Sequence, residues 1–132
     1  MRFDIRKLSD RVGAEVMGLD LRSPLDAETV AALRRVWLDR HVLLFRGQDL
    51  SEAEQIRFAG YFGPAMETQQ SQNEERRPRS DGRMMLVSNI RENGKPIGVL
   101  DGGELQFHSD SAFLARPLMA TVLYGVTITS TG

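Results

Sequence analysis

Glu104-Leu105-Gln106-Phe107-His108-Ser109-Asp110-Ser111-Ala112-Phe113 is the stretch on which the reading of this chain turns. Leu105 to Asp110 reads as a strand, and on a strand residues two positions apart project to the same face. At about 3.3 Å rise per residue, the Cα atoms of His108 and Asp110 lie roughly 6.6 Å apart. An imidazole nitrogen and a carboxylate oxygen at that spacing can converge on one metal ion. A histidine, a carboxylate and a second histidine form the facial triad of non-haem Fe(II) oxygenases. The competing reading is a hydrogen-bonded His–Asp pair near a strand end. His41 is the only other histidine in the chain, so the expected third arm has no evident source here.

Outward from this stretch, composition narrows the class. The 132 residues suit a single domain spanning 1–132, with 41% hydrophobic residues and a formal net charge of -1. That length is enough to bury a core. Seventeen basic residues against eighteen acidic ones give no excess that would point to nucleic acid or an anionic membrane. The chain has no cysteine. This excludes disulfides, thiolate metal sites and a cysteine nucleophile, and it fits a cytoplasmic protein. Met1 to Lys7 lacks the apolar core of a signal peptide. No apolar run approaches the ~20 residues of a membrane span.

Phe3 to Leu8 and Ala14 to Leu19 read as strands around a turn at Ser9 to Gly13. A helix is expected over Pro24 to Arg40, capped by Ser23 with Pro24 at its first position. Asp26 is a rival cap. Val30, Leu33 and Trp37 recur at helical spacing. His41 to Phe45 reads as a buried strand. A second helix opens at Ser51 with Glu54 completing a capping box. It turns Ile56 and Ala59 inward and ends near Phe62-Gly63-Pro64. Pro64 to Arg83 is a long loop with little apolar content, of the kind that can order as a lid. Met84 to Val87 reads as a strand. Asn93-Gly94 signals a hairpin between Ile90 and Ile97 to Leu100. Asp101-Gly102-Gly103 marks a turn, and Leu118 to Ile128 is a β-prone run.

Four blocks carry a resemblance. They are Gly13-Ala14-Glu15-Val16 followed by Gly18-Leu19-Asp20-Leu21; Arg40 to Gln48; Phe58-Ala59-Gly60-Tyr61-Phe62-Gly63-Pro64; and Phe107 to Phe113, with Pro117 and Ser130-Thr131-Gly132 after it. In this order and at these intervals, the chain resembles the N-terminal half of the taurine/2,4-D dioxygenase family, the TauD/TfdA type. The resemblance implies an α+β fold: a double-stranded β-helix, jelly-roll-like, with N-terminal helices packed on it. It also implies that the fold is truncated before the barrel is complete. Phe107 stands where the family most often has tryptophan.

The resemblance further implies an Fe(II)- and α-ketoglutarate-dependent dioxygenase that uses O2, with His108 and Asp110 as two of the three iron ligands. The reaction would hydroxylate a small organic acid, such as an aryloxyalkanoate or a sulfonate, while α-ketoglutarate is decarboxylated to succinate. The family's second histidine, its α-ketoglutarate-binding threonine and its arginine would lie beyond Gly132. This chain alone is therefore expected to be inactive, with the missing C-terminal half or a homo-oligomer as its partner. An uncovered sheet edge would make it prone to aggregate. A second reading, of a different class, is a catalytically inactive truncated homologue acting as a folding or interaction module. Asn89, Glu104 and Phe107 are candidate substrate contacts; for Asn89 and Glu104 the alternative is a surface turn, and for Phe107 and Phe113 the core. Tyr124 reads as structural and Arg116 as a solvated side chain.

Overall fold

The computed structural model describes residues 3–64, 83–98, 106–128 and 130. The chain divides into two compact units, with the boundary between Phe62 and Gly63.

In the first unit, β1 (Asp4–Lys7) pairs antiparallel with β2 (Ala14–Met17), and Lys7 lies opposite Ala14. The turn between them is tied by the Ser9 hydroxyl, which accepts the Val12 N–H at 2.9 Å. Gly13 then takes a φ of 85°, and a Cβ there would press on Leu8 at 3.2 Å. On its other edge β2 pairs parallel with β3 (Leu43–Leu44), Ala14 opposite Leu43 and Glu15 opposite Leu44. The connection is α1 (Ala27–Arg40). In this unit Ala14, Val16, Leu19, Leu21, Leu33, Phe58 and Phe62 are the buried apolar residues.

Helix α1 begins three residues later than the expected Pro24, and its cap is Asp26 rather than Ser23. Asp26 is extended, with φ -72° and ψ 160°, and its carboxylate accepts the Thr29 N–H at 2.7 Å. A carboxylate satisfies that donor and also meets the positive end of the helix. Ser23 is engaged elsewhere, its N–H donating to the Asp20 carbonyl at 3.2 Å. Leu33 is fully buried from α1, with Val30 and Trp37 half-buried on the same stripe. At the far end Arg40 is buried and its guanidinium donates to the Ser9 carbonyl at 2.5 Å.

The stretch His41 to Phe45 is not the buried strand expected. His41 is an exposed left-handed C-cap (φ 64°), and only Leu43–Leu44 pair, both half-buried. The left-handed backbone that stops the helix at His41 is not the extended one of a strand. Helix α2 (Glu52–Gly60) has the expected capping box, in which Ser51 and Glu54 each accept the other's backbone N–H. Its buried residue is Phe58, whereas Ile56 and Ala59 are half-buried. Phe58 meets Phe45, Tyr61 and Phe62 edge-on at centroid distances of 5.2, 6.3 and 5.5 Å. Trp37 meets Phe62 at 5.6 Å, so the cluster joins both helices. Each such pair adds about 0.5–1.5 kcal/mol beyond its buried area.

In the second unit, β4 (Arg91–Glu92) and β5 (Lys95–Pro96) form the expected hairpin. Asn93 and Gly94 both have positive φ, 51° and 78°, as a two-residue turn of the primed type requires. Met84 and Val87 make isolated bridges rather than a strand. A Cβ on Gly98 would lie 2.8 Å from the Ser88 nitrogen and 2.9 Å from the Leu86 oxygen. That backbone contact is open to glycine alone. The described part of Leu105 to Asp110 is irregular, and a turn follows at Asp110–Phe113. Leu118 to Ile128 forms no regular strand in its described residues. Burial nevertheless alternates from Leu118 to Tyr124, with Leu118, Ala120, Val122 and Tyr124 half-buried and Met119, Thr121 and Leu123 exposed. The side-chain pattern of a strand is present there without a regular ladder. Residues 65–82 of the expected Pro64 to Arg83 loop, the expected Asp101-Gly102-Gly103 turn and Glu104 lie outside the described residues.

Leu33→Ala should cost about 2–5 kcal/mol and Ser51→Ala about 1 kcal/mol, both read from urea unfolding. The Thr29 N–H holds the Asp26 carboxyl down to about 2. Its stabilising effect is therefore complete above the ordinary carboxylate value near 3.8 and is lost as pH falls through about 2. Asp26→Asn keeps a capping oxygen and should flatten this acid limb in melts recorded across that window.

Candidate metal centre

His108 and Asp110 come from an irregular segment and the turn that follows it, yet their side chains meet. His108 Nε2 lies 3.1 Å from Asp110 Oδ1. The opposite ring nitrogen, Nδ1, lies 2.8 Å from the Gln106 carbonyl oxygen. Both neighbours of the ring are acceptors. Nδ1 can satisfy its neighbour only by carrying a proton, which leaves the Nε2 lone pair aimed at a carboxylate oxygen. That arrangement is stable when Nε2 is also protonated, which is the hydrogen-bonded His–Asp pair of the competing reading. The Gln106 carbonyl, followed by the Asp110 charge, accordingly raises His108 above its ordinary value.

The donor set fits a hard-to-borderline divalent ion. Imidazole nitrogen with carboxylate oxygen suits Fe(II) and Mn(II). Two adjacent ligands of an octahedral ion, with bonds of about 2.1 Å at a right angle, stand about 3.0 Å apart. A ring N–H given to a backbone carbonyl is also how metal-binding histidines are oriented. The other carboxylate oxygen, Asp110 Oδ2, accepts from the Thr121 hydroxyl at 2.8 Å. Among the described residues no group of three His, Cys, Asp or Glu side chains converges on one point.

The pair is open to solvent, with side chains 53% and 47% exposed. Phe107 and Phe113 flank it in sequence and are exposed rather than core. Asn89 is exposed just ahead of the hairpin. Glu104 is outside the described residues. Tyr124 is half-buried and Arg116 exposed. Thr121 escaped the sequence reading. Its one signal was a hydroxyl set inside the apolar run Leu118-Met119-Ala120-Thr121-Val122-Leu123. No described helix is long and apolar enough to cross a membrane.

Comparison with known proteins bears on the same residues. The model of the family described as taurine catabolism dioxygenase TauD, TfdA family matches residues 4–132. An alkylsulfatase of Acinetobacter baylyi is 30% identical over 132 residues, covering 99% of this chain and 38% of that protein. The α-ketoglutarate-dependent 2,4-dichlorophenoxyacetate dioxygenase of Cupriavidus pinatubonensis is 30% identical over 126 residues, covering 90% of this chain and 44% of its own length. The crystal structure of a taurine dioxygenase from Burkholderia xenovorans superimposes with a TM-score of 0.52 at 28% identity, over 61% of this chain and 28% of that one. The chain thus spans about two fifths of the length of these curated relatives.

With two acceptors at its ring, His108 should titrate above the ordinary histidine value of 6.5 in an NMR pH series. Asp110→Asn should bring it down. The ion pair stabilises the fold below the unfolded value and is lost as pH rises through the folded one.

Proposed function

The chain belongs to the TauD/TfdA dioxygenase family, and from that premise we propose that His108 and Asp110 are two of the three protein ligands of an Fe(II) centre. The centre would serve an α-ketoglutarate-dependent dioxygenase acting on a small organic acid, a sulfate ester, aryloxyalkanoate or sulfonate. The observation that supports the reading is the His108–Asp110 pair, whose Nε2 and Oδ1 lie 3.1 Å apart, a separation open to two adjacent ligands of one octahedral ion. Fe(II), when bound, supplies the redox chemistry that couples decarboxylation of α-ketoglutarate to hydroxylation of a C–H bond.

The chain's own residues do simpler work. His108 offers Nε2 because Nδ1 is committed to the Gln106 carbonyl. Asp110 brings an anionic oxygen that offsets part of the ion's charge. Phe107 and Phe113, exposed on either side, are suited to cover an apolar substrate body and keep water from the reacting carbon. Substrate class is inferred from the relatives, whose names point to sulfate esters and aryloxyacetates. The surrounding fold is proposed to be the start of a double-stranded β-helix. The likeness to the taurine dioxygenase structure and the strand-like alternation of Leu118 to Tyr124 support this.

The protein carrying this chain should release succinate from α-ketoglutarate with Fe(II), ascorbate and one member of a panel of sulfate esters, aryloxyalkanoates and taurine. His108→Ala and Asp110→Ala should each abolish that release. Residues 1–132 alone should release none, since the resemblance supplies only His108 and Asp110 of the three iron ligands from this chain. Undiminished turnover in His108→Ala would sink the assignment.

A further inference from the structure

Resting on the metal-site reading above, we propose that Thr121 is the positioning residue that presents Asp110 to the cation. The Thr121 hydroxyl donates to Asp110 Oδ2 at 2.8 Å, across a separation of eleven residues. Asp110 is about half exposed, so packing alone does not fix its carboxylate. The side chain would otherwise rotate freely, and either oxygen, or both, could meet an ion. With Oδ2 committed to the hydroxyl, Oδ1 is the oxygen left facing His108 Nε2.

Threonine suits the task. Its β-branch restricts χ1, so the hydroxyl is aimed at little entropic cost. A neutral donor stabilises the carboxylate without competing with the ion as a cationic side chain would. The two metal donors are therefore held independently, His108 by a carbonyl two residues before it and Asp110 by a hydroxyl eleven residues after it. Partners of this kind typically contribute 10–100-fold in metal affinity. Thr121 acts through the Asp110 carboxylate rather than as a ligand itself. Its part is to choose which oxygen the ion meets.

The test is a Mn(II) titration of the 132-residue chain, following paramagnetic broadening of the histidine ring signals by NMR. The method detects weak binding, and with two histidines in the chain the exposed C-cap His41 serves as an internal reference. His108 should broaden at a lower Mn(II) concentration than His41. Thr121→Val, close in shape but without the donor, should raise the His108 midpoint about ten-fold while leaving the melting temperature in place. Thr121→Ser, which keeps the donor, should restore it. A Thr121→Val midpoint equal to the parent's, or a Thr121→Ser midpoint as high as the valine variant's, overturns the positioning role and leaves the metal site standing. If His108 broadens no earlier than His41, or if Asp110→Asn leaves its broadening unchanged, the metal-site reading falls and this inference with it.

Discussion

The parallel pairing of β2 with β3 is the constraint on which the N-terminal unit depends. Two parallel strands cannot be joined by a tight turn, so the chain between them must cross over. Helix α1 is that crossover, and its C-terminal end is fastened accordingly. The Gly13 N–H donates to the Arg40 carbonyl at 2.8 Å, and the Ala14 N–H donates to the Val42 carbonyl at 2.9 Å. The buried Arg40 guanidinium reaches back to the Ser9 carbonyl. One residue thus closes the end of the helix onto the β1–β2 turn. Being central, β2 also has both faces covered. Ala14 and Val16 are in the core, while the Glu15 carboxylate, 5% exposed as a residue, is met by Arg6 and by Arg46 at 3.5 Å. Burying a charge here is tolerable because two cations meet it.

The elements best legible in the sequence were those whose signals are local. Ser51 with Glu54 is a reciprocal hydrogen-bond pair written in four residues, and Asn93-Gly94 supplies two positive φ angles in two. Both formed as read. The start of α1 was ambiguous because Ser23, Pro24 and Asp26 all carry start signals. The carboxylate that could reach the Thr29 N–H prevailed. The strands at Met84 to Val87, Leu105 to Asp110 and Leu118 to Ile128 were read from side-chain pattern. A pattern specifies faces; a ladder requires a second segment at the right place, and no local window contains that information.

The candidate site shows the same division. The contact of His108 with Asp110 was legible from spacing, as both the metal-pair and the hydrogen-bonded-pair readings have it, although the segment that delivers them is not a strand. What orients them was not legible. A backbone carbonyl such as that of Gln106 has no sequence signature, and Thr121 is distant along the chain. Residue spacing proposes ligands, and the partners behind them decide whether the ligands are aimed.

The edge-on contact between Trp37 and Phe62 has an optical consequence. Trp37 is the only tryptophan in the chain, and its ring packs where α1 meets the end of α2. Its fluorescence therefore reports on the helix junction of the N-terminal unit. His108 and Asp110 belong to the other unit. Unfolding of the N-terminal unit can thus be followed by Trp37 emission without adding a label.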